Sequence, residues 1–337
     1  MRPRFPKDPL HQTAKRIARS QGFHLGSCIY EGWSHFRTVR NVIYAGTFRG
    51  RDSVLKVFDD PRIIYEVLEH RAFLAHNRSR LLTAPALYAS QQTSPHTGWL
   101  VMERIPAAFR HFDSPLKARD RADFLRAFEE YRRIFPKRPT RPLMLVERLS
   151  SVEYHRLRID RWMDLANSAE EQRQLTGRRP LLAPREFLPR FRRALRLMDR
   201  TFRARRQVWS HGHVKPKEFF TNAQRTRFYL TDFAHAKYYP EGYDFALPIW
   251  ADWLIGGNWR WPYRQWRKGV FTWIDDFVPV AQRLGVRGFR SLMRGAIAER
   301  TLGSLLADIP SAQSMSEREQ RRRIRLLYRL LDELTGR

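Results

Sequence analysis

One stretch, residues 210–236, constrains the fold of this chain more than any other. It reads SHGHVKPKEFFTNAQRTRFYLTDFAHA. A polar turn at 211–216 leads to a short apolar segment at 218–221, and after a second turn to an apolar strand at 227–231 that ends directly before Asp232. The pattern predicts a loop, a β-hairpin and an acidic residue at a strand end. Acids in that position commonly hold phosphate-bearing ligands and their metal ions.

This stretch resembles the catalytic core of the kinase-fold small-molecule phosphotransferases, the group of aminoglycoside phosphotransferases and choline kinases. Their loop has the pattern HGDLxPxN, followed after a short hairpin by IDF. Here the loop reads HGHVKPKE from His211 to Glu218, and TDF follows at residues 231–233. The frame matches, but His213 stands where the family has its catalytic Asp, and Glu218 stands where it has the metal-binding Asn.

The resemblance implies an α+β, two-lobed, protein-kinase-like fold with a small antiparallel-sheet N-lobe and a larger, mostly helical C-lobe. We place a basic leader at residues 1–22, the N-lobe at 23–104, and the C-lobe with the catalytic loop and the metal-site strand at 105–337. The resemblance also implies ATP and Mg²⁺ as cofactors, and a nucleotide and a small-molecule acceptor as partners.

Lys56 is the one charge in the apolar run VLKVF at 54–58, which predicts a core strand. A lysine there is rarely left unpaired, so it reaches a carboxylate or a bound phosphate, unless it extends from an edge strand into water. The resemblance implies both contacts, with the carboxylate on the next helix, predicted at 61–77. Glu66 and Glu69 lie one turn apart on it. The family pattern ExxAxL starts at Glu69, which we take as the partner; two solvated glutamates are the alternative.

Other parts of the predicted nucleotide site carry a weaker signal. Between the first two predicted strands, the segment 31–36 holds one glycine, Gly32, and Ser34. The resemblance implies that this segment folds over the phosphates, although a plain hairpin turn fits equally well. It also implies that the backbone near Glu103 and Ile105, between the lobes, binds the adenine.

The chemistry is predicted to rest on His213, Lys215 and Asp232, with Asp232 and Glu218 as oxygen ligands for the metal. A neutral histidine can accept a proton, but with an ordinary pKa of ~6.5 it is only partly neutral near pH 7. The resemblance gives His211 and Asp244 structural roles, bracing the loop, and a helix N-cap is a compatible role for Asp244.

Charge and composition set broader limits. The chain of 337 residues has 63 Lys and Arg against 34 Asp and Glu, a net charge of +29. Such a field favours anionic partners, among them nucleic acid and acidic membrane surfaces. An arginine-rich background explains it equally well, because the basic residues are spread along the chain. Six tryptophans between residues 250 and 273 alternate with Arg and Lys, which suits an exposed binding surface or a packed corner. We expect Trp250 and Trp253 to be packed in the core and the tryptophans from Trp259 to Trp266 to be exposed.

The one cysteine, Cys28, and the lack of an apolar run of ~20 residues predict a cytoplasmic protein, with attachment to a membrane surface as the alternative.

Two hypotheses follow. The first is an ATP- and magnesium-dependent phosphotransferase acting on a hydroxyl of a small molecule, with His213 in place of the usual Asp and an anionic or lipid-linked acceptor favoured by the basic charge. The second is a catalytically inactive, pseudokinase-like protein that binds nucleotide, nucleic acid or a membrane. The enzyme ranks ahead because Lys56, Asp232 and Asp244 all stand at matching places.

Overall fold

The computed structural model of the chain describes residues 9–33, 38–60, 66–94, 96–135, 149–312 and 314–336. The described residues form two compact units: unit 1 contains those up to 111 together with 218–237, and unit 2 contains 112–217 and those from 238 onward. Unit 1 is rich in strands and unit 2 is mostly helical, so the predicted α+β class is confirmed. The lobe boundary between 104 and 105 stays a prediction.

Unit 1 is built on a five-stranded antiparallel sheet. In spatial order its strands are β1 (Phe23–Trp33), β2 (Val39–Phe48), β3 (Arg51–Asp59), β6 (Thr97–Glu103) and β5 (Leu87–Gln92). Helix α1 (Pro9–Gln21) covers one face through Leu10, Ala14 and Ala18, whose spacing of four places them on one side of the helix.

The alternation of side chains along β3 sets the position of Lys56. Leu55 and Val57 belong to the core beneath α1, whereas Phe58 packs on the opposite face with Val67 of α2 (Glu66–His76) and with Ala234. Because successive residues of a strand face opposite sides, Lys56 shares the α2 face with Phe58. The helix predicted at 61–77 is described from Glu66, and residues 61–65 lie outside the described part.

A second, four-stranded sheet contains the predicted hairpin. Its strands, in order, are β4 (Leu82–Thr83), β10 (Phe228–Leu230), β9 (Phe219–Asn222) and β7 (Phe109–His111), with β4 parallel to β10 and the other pairs antiparallel. The Asn222 side chain closes the hairpin by accepting hydrogen bonds from the backbone of Thr226 (2.9 Å) and Arg227 (3.1 Å). The hairpin is therefore confirmed, and β10 ends two residues before Asp232.

Unit 2 is organised around a helix that is buried on nearly every side. This helix is α8 (Phe289–Gly303). The other described helices of unit 2 are α3 (Arg121–Ile134), α4 (Ser151–Leu175), α5 (Pro184–Arg203), α6 (Ala246–Ile249), α7 (Tyr263–Arg283) and α9 (Glu317–Thr335). A strand pair, β8 (Gln207–Ser210) and β11 (Lys237–Pro240), accompanies them. Apolar and small residues around most of α8 explain its central place. Within the described residues, no helix has both the length and the apolar content that crossing a membrane requires.

Several sequence predictions for unit 2 need correction. The sequence predicts a helix at 144–169 and an exposed loop at 172–180. Residues 144–148 lie outside the described part, and α4 begins at Ser151 and continues to Leu175, so the loop begins later than predicted. The expected exposure of Trp266 is also wrong, because its side chain is 1% exposed and packs in the core. The neighbouring segment is held by α9, where Arg322 donates hydrogen bonds to the carbonyls of Trp259 (3.4 Å) and Trp261 (3.2 Å).

Asp252 is fully buried in unit 2 and ties two segments together. Its carboxylate accepts hydrogen bonds from the Ser114 hydroxyl (2.7 Å) and the Leu116 backbone N–H (2.8 Å), which fixes the chain that leads into α3. Burial raises the pKa of Asp252 to about 6, although these hydrogen bonds oppose the shift.

The substitution Asp252→Asn tests this buried carboxyl. Its pKa of about 6 in the folded protein exceeds the ~3.9 of an unfolded Asp, so the folded state binds the proton more tightly. The free energy of unfolding should therefore fall by about 2 kcal/mol between pH 4 and pH 7 through this group alone. Urea unfolding should show that decrease in the wild type and not in D252N. The exposed-site control Asp275→Asn should behave as wild type, and equal slopes in all three proteins would contradict the assignment.

Candidate functional site

The ammonium group of Lys56 lies between two carboxylates of unit 1. Its Nζ is 2.5 Å from Oε1 of Glu66 and 3.7 Å from Oδ1 of Asp232. Lys56 is 5% exposed and Glu66 3%, whereas the Asp232 side chain is 27% exposed. The two residues expected to face one triphosphate, Lys56 and Asp232, therefore meet directly, and the Asp232 carboxylate is the part open to solvent.

The predicted partner of Lys56 was wrong, because the ion pair is made with Glu66 and not with Glu69. Glu66 stands in the first described turn of α2. The alternative of two solvated glutamates is also wrong, since Glu66 and Glu69 are each 3% exposed. Sequence spacing could not separate them, as both point inward from the same helix.

Burial and neighbouring charges shift the pKa values of both members of this ion pair. Burial opposes the charge on Lys56, but Glu66 and Asp232 outweigh it and raise its pKa. Burial raises the pKa of Glu66, and the negative charges of Asp232 and Glu218 raise it as well. The positive charge of Lys56 lowers this pKa but does not cancel the rise. Glu66 and Asp232 thus act on the Lys56 ammonium group, and Glu218 lies close enough to act on Glu66.

Glu218 and Asp232 are positioned by the base of the β9–β10 hairpin. The carbonyl of Glu218 accepts a hydrogen bond from the backbone N–H of Thr231 (3.0 Å), and its carboxylate accepts one from the Thr231 hydroxyl (3.2 Å). Asp232, the next residue, has a left-handed backbone with φ 62° and ψ 60°, which an Asp adopts more readily than most residues. The hairpin therefore links the two carboxylates predicted to hold a metal.

On its other side, Asp232 is followed by an anchored aromatic residue. The Phe233 ring stacks against His70 of α2 at 4.9 Å and contacts Phe73 at 5.3 Å. Phe233 is 1% exposed. Because α2 also carries Glu66, this packing fixes Asp232 relative to the Lys56–Glu66 ion pair.

The remaining predicted nucleotide contacts have mixed outcomes. A Cβ on Gly32 would lie 2.6 Å from the Asn41 side-chain amide, so a larger residue there would require that side chain to move. Ser34 lies outside the described residues. The Glu103 backbone N–H already donates to the carbonyl of Ala86 (2.8 Å). Ile105 lies just after β6 ends, and the adenine contact at Glu103 and Ile105 stays a prediction.

In unit 2, His211 and Asp244 are joined through a residue that the sequence did not single out. The Tyr131 hydroxyl accepts from the backbone N–H of His211 (3.1 Å) and donates to Asp244 (3.0 Å). Asp244 is 1% exposed and also accepts from Arg132 (2.9 Å). The arrangement agrees with the bracing role predicted for His211 and Asp244. In the sequence, the only signal for Tyr131 is its position at apolar spacing on α3.

His213 and Lys215 lie on the same loop and contact each other. Lys215 Nζ is 3.1 Å from Nε2 of His213, and an ammonium group has only donors, so this imidazole nitrogen is the acceptor. The Trp250 ring lies 6.2 Å from the His213 ring, centroid to centroid. Its indole N–H donates to Asp308 (2.8 Å), and Arg300 lies 4.2 Å above its ring.

Comparisons with known proteins identify the fold. No protein-family model matches the sequence, and no curated protein matches it. Solved structures do match. Amicoumacin kinase hAmiN with AMP-PNP, Ca²⁺ and Ami has a TM-score of 0.63 and 11% identity, over 96% of this chain and 94% of that one. The microcompartment-associated aminopropanol kinase has a TM-score of 0.61 and 16% identity, over 96% of each chain.

A thermostable mutant of the aminoglycoside phosphotransferase APH(4)-Ia, in a ternary complex with ADP and hygromycin B, matches 96% of this chain and 98% of its own, with a TM-score of 0.56 and 11% identity. The predicted resemblance is therefore confirmed at the level of the fold: the chain has the fold of aminoglycoside phosphotransferases and related small-molecule kinases. At these identities the likeness establishes the fold alone.

The pairing of Lys56 with Glu66 can be tested against its neighbour on the helix. Glu66→Gln removes the charge that orients the ammonium group, so we expect ATP affinity, measured by calorimetry, to fall by about tenfold. Glu69→Gln, an equally buried change one turn away, should alter it far less. A larger loss in E69Q than in E66Q would contradict the assignment.

Proposed function

We propose that the protein is an ATP- and magnesium-dependent phosphotransferase that acts on a hydroxyl group of a small molecule. The observation that carries the proposal is the buried Lys56 ammonium group between Glu66 and the solvent-accessible Asp232. A desolvated ammonium group that one carboxylate holds in place is suited to binding phosphate oxygens. The second carboxylate, which is open to solvent, is suited to binding their metal ion.

The donor set fits a magnesium ion. Asp232 and Glu218 offer hard carboxylate oxygens, which Mg²⁺ prefers, and the negative charges of both act on the buried Glu66. When bound, the metal would neutralise phosphate charge during transfer. Lys56 would hold the phosphates, and Glu66 would keep its ammonium group in place.

In the proposed reaction the hydroxyl oxygen of the acceptor attacks the γ-phosphorus of ATP and the bond to ADP breaks. The hydroxyl proton passes to Nε2 of His213, the nitrogen that accepts from Lys215 at 3.1 Å. Before that transfer, Lys215 would be displaced from this nitrogen and could contact an anionic group of the acceptor. Trp250, held by Asp308 and covered by Arg300 on one face, would offer a fixed planar surface near His213.

A second candidate function is nucleotide binding without transfer. The observation that favours it is the contact of Lys215 with His213 Nε2, since the lone pair that a general base needs is already engaged. Glu218 in place of an amide points the same way. The nucleotide site in unit 1 would then act as a binding site whose occupation stabilises the fold.

The substitution Asp232→Asn tests the metal role shared by both candidates. Because an amide is a poorer ligand for Mg²⁺ than a carboxylate, we expect the magnesium-dependent part of ATP affinity to fall by about thirtyfold or more. Calorimetry gives the magnesium-dependent part of the affinity as the difference between ATP binding with Mg²⁺ and ATP binding with a chelator. The control Asp59→Asn, at the exposed end of β3, should bind as wild type. Unchanged magnesium dependence in D232N would refute the proposed ligand.

Catalysis is tested by changing His213 in two ways. If His213 is the base, His213→Ala should lower the rate of ADP formation by about a hundredfold or more, while His213→Asp should retain it, because a carboxylate can accept the same proton. ATP affinity should be unchanged in both variants. Binding of ATP and Mg²⁺ without ADP formation in the wild type, with no gain in H213D, would instead establish the non-catalytic candidate.

A further inference from the structure

Helix α5 presents a row of arginines to solvent. These residues are Arg185, Arg192, Arg196, Arg200 and Arg203, and all five are exposed. At 100° per residue they fall within an arc of about 80°, and at 1.5 Å per residue they extend over about 27 Å. The opposite side of the helix is the buried one, with Phe187, Ala194, Met198 and Phe202 in the core.

Internal ion pairing does not account for this row. Two other arginines of α5, Arg190 and Arg193, both pair with Asp332 of α9, at 2.8 and 2.7 Å. Among the described residues, none of the five exposed arginines forms an ion pair. Like charges three and four positions apart repel each other on a helix, so the row is unfavourable for the isolated protein and favours an external anion.

Two exposed leucines stand on either side of the connection between α4 and α5 along the chain. Leu175, the last residue of α4, is 81% exposed, and Leu188, in the second turn of α5, is 41% exposed. Within the described part of unit 2, these are the large apolar side chains that remain exposed. Arg178 and Arg179, in the same connection, are exposed as well. Apolar side chains flanked by arginines suit the boundary between lipid headgroups and acyl chains.

We propose that the α5 face, defined as Leu175, Leu188 and the five exposed arginines, docks on the surface of an anionic phospholipid membrane. The arginines would bind lipid phosphates along the helix, and the two leucines would enter the headgroup boundary. Single-stranded RNA is a less suitable partner for this face, because proteins bind it largely by stacking its bases on aromatic side chains. The exposed positions of α5 carry no aromatic side chain. Glu186 is the one exposed acid on the helix, and it lies at the N-terminal end.

The experiment measures binding of the full chain to phosphatidylcholine vesicles with and without phosphatidylglycerol. The wild type should bind only the anionic vesicles, and less tightly as salt rises. A combined Arg192→Glu, Arg196→Glu and Arg200→Glu variant should bind about a hundredfold more weakly, since each basic residue near an anionic surface contributes roughly fivefold. A matched control makes the same charge change on exposed arginines of unit 1, Arg16→Glu, Arg19→Glu and Arg80→Glu, and should retain most of the affinity.

A second variant tests the leucines. Leu175→Ser with Leu188→Ser should bind anionic vesicles about tenfold more weakly, because apolar burial is lost. Thermal unfolding should occur at no lower temperature in the variants than in the wild type, as every changed side chain is exposed. Absence of vesicle binding, an equal loss in the unit 1 control, or tighter binding to single-stranded RNA with no effect of the leucine change would each overturn the proposal.

Discussion

A buried ammonium group must be matched by carboxylates, and in unit 1 this requirement connects three separate segments of the chain. Strand β3 supplies Lys56, helix α2 supplies Glu66, and the end of the β9–β10 hairpin supplies Asp232. Removing these charges from water is costly, and a buried ion pair often adds little net stability over apolar packing. Its presence in an otherwise apolar strand is therefore better explained by ligand binding than by folding.

The surrounding structure serves to hold that arrangement. Phe233 packs under α2, and Thr231 bonds to Glu218, so the position of Asp232 is fixed by its neighbours on both sides. In unit 2, a separate hydrogen-bonded chain from Asp244 through Tyr131 reaches the backbone of His211. Both arrangements brace short polar segments whose own backbone conformations include left-handed residues, among them Asp232 and Gly212.

The sequence predicted those parts of the fold that follow from local pattern. The strand that carries Lys56 and the hairpin before Asp232 lie within about three residues of their predicted bounds, because alternation and turn residues determine them. The sequence did not predict the features that depend on contacts between distant segments of the chain. Glu66 and Glu69 share a helix and a degree of burial, so only the approach of β3 selects Glu66. Trp266 is buried by the packing of α7, and Tyr131 gains its role from residues far along the chain.

We infer that Lys56, Glu218 and Asp232 form a site for a nucleotide and its metal ion. The most direct measurement is a crystal structure of the protein grown with a non-hydrolysable ATP analogue and Mn²⁺, in which anomalous scattering locates the metal. We expect manganese coordinated by a carboxylate oxygen of Asp232, with a phosphate oxygen within hydrogen-bonding distance of Lys56 Nζ. An analogue bound elsewhere, with Lys56 still enclosed by Glu66 and Asp232 and no metal at Asp232, would contradict the account.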